Sequence, residues 1–190
     1  MGAFKLIVIA GWVAFWLYWF ISAIQNRTIN KRKESFQSRW VSWFFLILAF
    51  WLIINNHSAF DWISERFIPA TVALRSMGIV VMFSGLSFAV WARIHLGQYW
   101  SGRVTIKVDH RLIRTGPYKI VRNPIYTGIL FGFIGTALVI GEIRVFLAIA
   151  LILVGIWLKI KAEEKFLLDE FGQQFLQYKK EVKMLIPYII

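Results

Sequence analysis

The chain has 190 residues, 58% of them hydrophobic, with 10 Trp, 17 Phe, a mean hydropathy of +0.61 and a formal net charge of +12. That is more apolar surface than a soluble domain of this length needs to bury, so the sequence reads as an integral membrane protein. Cysteine is absent, which excludes disulfides, thiolate catalysis and cysteine metal sites, and His57, His95 and His110 are too scattered for a metal-ligand cluster.

Five apolar segments follow in chain order, at about 3–25, 40–56, 72–92, 124–141 and 144–160, against the roughly 20 residues needed to cross a bilayer core. The first is too long and too aromatic for a cleavable signal, and no small-residue cleavage site precedes the basic run that begins at Arg27, so it is expected to be retained. The second and fourth are short and are expected to sit shallow or to run partly into polar loops. Gly141-Glu142-Ile143-Arg144 is a tight link, which predicts that the fourth and fifth segments form an antiparallel hairpin. Between 162 and 182, Phe166, Leu167, Phe171, Phe175, Leu176 and Tyr178 recur at helical spacing with an interruption at Gly172. That pattern predicts an amphipathic helix on the membrane surface or capping the bundle.

The basic excess has a topological cause. Of the 22 Lys and Arg, eighteen fall in 27–39, 93–122 and the stretch from 159 onward, and only Lys5, Arg66, Arg75 and Arg144 lie in the alternate segments. The positive-inside rule then predicts a multi-pass protein with its N-terminus outside and the two basic loops and the C-terminal tail in the cytoplasm. Contact with the lipid bilayer accounts for the charge, and no nucleic-acid partner is expected.

The stretch from Gly116 to Gly128 is polar and turn-forming yet lies between membrane-length apolar runs. Lipid does not tolerate irregular backbone unless it is buried in protein or meets water, so this stretch and the Glu163-Glu164 pair predict a cavity at the membrane–water boundary. Gly116-Pro117 and Asn123-Pro124 are turn dipeptides that hold the preceding residue out of the helical region. Arg122 is suited either to a bound anion or to lipid headgroups, His110 either to a ligand or to a local carbonyl, and Tyr118 and Tyr126 either to a site or to the interfacial aromatic belt. No glycine-rich GxGxxG loop follows a strand, which rules out a Rossmann-type nucleotide site.

Taken together, His110-x-Leu112-Ile113, Gly116-Pro117-Tyr118, Arg122-x-Pro124-x-Tyr126-x-Gly128, Glu163-Glu164 and Phe171-Gly172 with Phe175 and Tyr178 resemble the isoprenylcysteine carboxyl methyltransferase family. Membrane phospholipid methyltransferases and small-thiol methyltransferases are its wider relatives. The likeness runs from about Leu96 to Pro187. Together with the five apolar segments, it implies an all-α integral membrane protein with five transmembrane helices, a cytoplasmic cofactor-binding loop and the C-terminal amphipathic helix. Residues 1–92 would form a three-span membrane region and 93–190 the cofactor-binding catalytic region.

The resemblance further implies S-adenosylmethionine as cofactor and a lipophilic or prenylated acceptor. It leaves that acceptor's identity and the oligomeric state open. His110, Leu112, Ile113, Gly116, Tyr118, Asn123, Tyr126 and Glu164 would contact the cofactor, while Lys159, Glu163 and Arg122 would serve the acceptor and the transfer. Two positions depart from the family pattern. Asn123 stands where the family has His, which keeps hydrogen bonding but loses titration near neutrality, and Lys159 stands where it has Arg, which keeps charge but loses the bidentate fork. A sterol-reductase-like enzyme using NADPH and a noncatalytic membrane scaffold are the competing readings.

Overall fold

A computed structural model describes residues 2–25, 30–33, 44, 45, 47–49, 51, 52, 61–99, 105–107 and 112–187. The helices are α1 (Ala3–Gln25), α2 (Val72–Leu96), α3 (Pro124–Ile140), α4 (Ile143–Phe171) and α5 (Gln173–Glu181). Three of them contain stretches long and apolar enough to cross a membrane, at Ala3–Ile24, Val72–Leu96 and Ile143–Phe171, while α3 is apolar but has only 17 residues. Among the described residues of the second apolar segment, 44, 45, 47–49, 51 and 52 are helical, and Ala49 is buried against α4.

One expectation needs correction. The amphipathic tail does not start as a separate helix after residue 160, because nothing between Ile160 and Phe171 breaks the helix. The spanning helix α4 runs on to Phe171 and ends only at Gly172, whose φ of 49° favours glycine. The membrane body is helical, and a short strand pair accompanies it. β1 (Asn30–Lys33) pairs antiparallel with β2 (Thr105–Lys107) in a ladder whose Lys31, Arg32, Lys33 and Lys107 make it too basic to enter lipid.

The tightest helix contact is between α2 and α3, and α3 packs far more extensively on α2 than on its sequence neighbour α4. Glycines make this possible. A Cβ at Gly78 would lie 2.7 Å from the Gly135 carbonyl oxygen, and one at Gly85 would lie 2.6 Å from that of Gly128. With no side chains at these crossings the antiparallel backbones touch, which is how helices associate where lipid removes the hydrophobic incentive. Trp12 of α1 joins the pair by donating from Nε1 to Thr136 Oγ1 at 2.9 Å, and its ring lies 4.4 Å from that of Phe133. Val8, Phe15, Met82, Leu86 and Ala89 fill the α1–α2 side, while Phe133, Ile152, Ile156 and Ile160 fill the α3–α4 side with Met184 and Leu185 of the C-terminal strap.

The sparse cations of the alternate segments gather at one end of the bundle. Glu142, in the hairpin turn, meets Lys5 at 3.8 Å and Arg144 Nε at 2.6 Å and forms a β-bridge with Arg66, while Arg75 stands over the ring of Phe4, the residue before Lys5. Gly141 in the same turn adopts φ 71°, the left-handed cap that lets α3 stop and α4 begin two residues later. The β1–β2 pair, the 112–123 segment and the C-terminal tail lie toward the opposite end, where α2 finishes. There Arg93, 2% exposed, donates to the carbonyls of Ser22 at 3.1 Å and Gly97 at 3.3 Å, tying the ends of α1 and α2 together.

Candidate active site between the α2–α3 loop and the C-terminal strap

Residues 112–123 descend from the paired strands to the start of α3. Leu112 and Ile113 are half-buried and without regular structure, and Gly116–Lys119 forms a single 3-10 turn with Gly116 at φ 57°. Tyr118 is buried beneath this turn, and its hydroxyl reaches the Ala92 carbonyl at 3.5 Å. Pro124 opens α3 at the position where a missing N–H costs nothing.

The C-terminal strap shapes this loop through the backbone. Arg122 N–H donates to the Lys183 carbonyl at 2.8 Å and Asn123 N–H to that of Met184 at 3.1 Å, while Thr127 Oγ1 donates to the Leu185 carbonyl at 2.7 Å. The Asn123 side chain adds a bond from Nδ2 to the Met184 carbonyl at 3.3 Å. Tyr178 of α5 donates its hydroxyl to the Tyr118 carbonyl at 2.5 Å. Arg122 and Asn123 are thus aligned by residues 179–184, whereas the Tyr118 and Tyr126 hydroxyls bond to Ala92 and Glu163.

Arg122 and Glu164, expected to serve the acceptor and the cofactor respectively, pair with each other. Arg122 Nε and Nη2 lie 3.0 and 2.9 Å from Glu164 Oε1, and Lys179 Nζ lies 2.9 Å from Oε2. Arg122 Nη1 also donates to the carbonyls of Lys179, at 3.2 Å, and Val182. The Arg122 and Glu164 side chains are only 9% and 7% exposed, so this is a buried, hydrogen-bonded ion pair that clamps α3, α4 and α5.

A second cluster lies one residue earlier on α4. Tyr126 donates its hydroxyl to Glu163 Oε1 at 2.7 Å, and Lys159 Nζ stands 4.0 Å from the same oxygen, one turn away on α4. Glu163 is near enough to Tyr118 to help raise that phenol's pKa, behind the larger effect of burial. Burial likewise raises the pKa of Tyr178, against the opposing pull of Arg122 and Arg114. Both phenols therefore stay protonated donors at neutral pH.

The structure brings Tyr118, Tyr126, Lys159 and Glu163 together, sets Arg122, Asn123 and Glu164 as their frame, and places Leu112, Ile113 and Gly116 on the loop above. His110 lies outside the described residues. Two contributors had no clear signature in the sequence: Lys179 and the 182–185 strap. Lys179 was visible only as one charge on a polar helix face. The strap acts through carbonyls, which side-chain motifs do not encode. Among the described residues no group of three His, Asp or Glu could hold a metal ion.

The phospholipid methyltransferase family sequence model matches residues 74–174. The chain is 35% identical over 101 residues to protein-S-isoprenylcysteine O-methyltransferase of Schizosaccharomyces pombe, covering 52% of this chain and 43% of that protein. It is 39% identical over 71 residues to methanethiol S-methyltransferase 1 of Bradyrhizobium diazoefficiens, covering 37% of this chain and 24% of that one. The solved structure of the eukaryotic intramembrane Ras methyltransferase ICMT superposes with a TM-score of 0.53 at 25% identity, over 80% of this chain and 52% of that chain. Both curated alignments span less than half of the relative's length. The family match covers more than half of the chain and contains Tyr118, Tyr126, Lys159, Glu163 and the Arg122–Glu164 clamp, and the chain is accordingly a helical membrane protein of the phospholipid methyltransferase family.

Proposed function

We propose that this protein transfers a methyl group from S-adenosylmethionine to an amphiphilic acceptor that enters from the bilayer, with a prenylcysteine-type carboxylate as the first choice. The observation that carries this reading is the Tyr126–Glu163–Lys159 cluster beside Tyr118, within the stretch that matches the methyltransferase family. The donor set suits such a cofactor. Its ammonium needs a carboxylate, which the adjacent Glu163 and Glu164 supply at this end of α4. Its adenine or sulfonium needs an aromatic face, which Tyr118 and Tyr126 provide. Leu112, Ile113, Gly116 and Asn123 would line the same site, together with His110.

When bound, S-adenosylmethionine supplies an activated methyl group on sulfur. The chain's own contribution is alignment and exclusion of water. Lys159 orients the acceptor anion, and Arg122 supports it by holding Glu164 and the strap. A carboxylate acceptor loses no proton on methylation, so no base is required. A thiol or amine must lose one, and Glu163, oriented by Tyr126, receives it. A small thiol is the second reading, favoured by that hydrogen-bonded carboxylate and by the likeness to the methanethiol enzyme.

We further place the N-terminus outside, the 112–123 loop and the C-terminal strap in the cytoplasm, and five spans in the bilayer. The gathering of the four sparse cations at one bundle end supports this arrangement. Single cysteines, introduced into a chain that has none, should react with a cytoplasmic reagent at 105–115 and be protected at 57–62; the reverse pattern would invert the topology. For the activity, purified protein in nanodiscs should bind S-adenosylmethionine and not NADPH, and should label one class among prenylcysteine analogues, aminophospholipids and small thiols from a labelled methyl donor. Binding of NADPH alone would move the protein to the reductase reading, and binding of neither would move it to a scaffold.

A further inference from the structure

We propose that His95, on the last turn of α2, is a positioning residue that sets the conformation of the 115–118 turn and through it the affinity for the cofactor. The inference rests on the methyl-transfer reading above. His95 engages three positions of that turn. Its Nε2 lies 2.9 Å from Thr115 Oγ1, and its ring stacks on Tyr118 with centroids 6.4 Å apart and planes 26° from parallel. The ring also occupies the space beside Gly116, where a Cβ would lie 2.7 to 2.9 Å from three imidazole atoms. Gly116 therefore lacks a side chain for two reasons, its φ of 57° and the imidazole against it.

The platform beneath His95 is itself anchored. Tyr118 reaches back to the Ala92 carbonyl, one turn earlier on α2. Arg93 ties that turn to Ser22 and Gly97, and the glycine crossings hold α2 against α3, which carries Tyr126. His95 thus relates the turn bearing Tyr118 to the helix bearing Tyr126 across a chain separation that no local turn preference spans. It touches neither Glu163 nor Lys159 in any of these contacts, so its effect is on placement and not on the transfer.

The test is calorimetry with S-adenosylhomocysteine and steady-state kinetics on the protein in nanodiscs, comparing wild type with His95→Ala, His95→Gln, Thr115→Val and the His95→Ala/Thr115→Val double variant. One hydrogen bond and one ring contact correspond to about a threefold to tenfold loss of cofactor affinity in His95→Ala. Cofactor KM should rise by the same factor while kcat at saturating cofactor stays near wild type. Glutamine places an amide nitrogen close to the imidazole Nε2 position, so His95→Gln should recover part of the loss. Thr115→Val should weaken binding, and the double variant should fall short of the product of the two single effects. Unchanged affinity in both His95→Ala and Thr115→Val, or a fall in kcat with cofactor KM unchanged, would overturn the role. Wild-type protein that binds no S-adenosylhomocysteine would instead refute the methyl-transfer reading.

Discussion

Replacing Glu164 with Ala should be far more damaging than replacing its second partner, Lys179. Glu164 removal leaves Arg122 Nε and Nη2 without their carboxylate in a place where both side chains are under a tenth exposed. Two lost charge-assisted bonds and an uncompensated cation correspond to about 3 to 5 kcal/mol. The Lys179 and Val182 carbonyls still accept from Nη1, which points to the lower end of that range, about 3 kcal/mol. Lys179 is 37% exposed, and its loss leaves the Arg122–Glu164 contacts in place, so Lys179→Ala should cost no more than about 1 kcal/mol. Unfolding in a fixed detergent, followed by tryptophan fluorescence against denaturant, would measure both. Because Arg122 and Asn123 are also bonded to the strap, Glu164→Ala should weaken S-adenosylmethionine binding at least about tenfold, whereas Lys179→Ala should change it little. Equal and small losses of stability in the two variants would refute the clamp.

Lys159→Ala should lower turnover much more than cofactor affinity, and Lys159→Arg should keep or raise activity on a carboxylate acceptor because the fork engages both oxygens; normal turnover in the alanine variant on the best acceptor found would return Lys159 to a headgroup contact. Asn123→His should leave cofactor affinity within about threefold, the scale of a single hydrogen bond, since Asn123 serves by hydrogen bonding, to Met184 among others, and not by proton transfer; calorimetry showing a hundredfold change would contradict that assignment. Gly128→Val should force α2 and α3 apart, because even a Cβ there meets the Gly85 carbonyl oxygen and lies 2.6 Å from Ala89 N, and a loss of about 3 kcal/mol, the upper end for overpacking, is expected; a variant as heat-stable as wild type would deny the close crossing. Tyr118 and Tyr178 have folded pKa values raised above the ordinary 10.0, chiefly by burial, so their contribution to stability is complete below pH 10 and is lost as pH rises beyond it. A thermal-shift series should therefore decline above pH 10, less steeply in Tyr178→Phe, and a flat profile would contradict the buried phenols.

Much of the fold was legible because its causes are local. A run of apolar residues is costly outside lipid wherever the rest of the chain goes, so α1, α2 and α4 could be placed from hydropathy alone, and the charge split sorted Lys5, Arg66, Arg75 and Arg144 to one bundle end. Gly116, Pro124, Gly141 and Gly172 marked turns because backbone conformation at those positions depends on their own side chains. The Glu163-Glu164 pair and Tyr126 could be singled out as a motif. Their division of labour could not, since adjacent carboxylates on a helix point in different directions and only the packing decides that Glu163 meets Tyr126 while Glu164 meets Arg122 and Lys179. The α2–α3 glycine crossing, the imidazole over Gly116 and the strap on Arg122, Asn123 and Thr127 were likewise settled only in three dimensions. Their partners lie twenty to sixty residues apart and meet partly through backbone atoms, which every residue carries and no sequence pattern distinguishes.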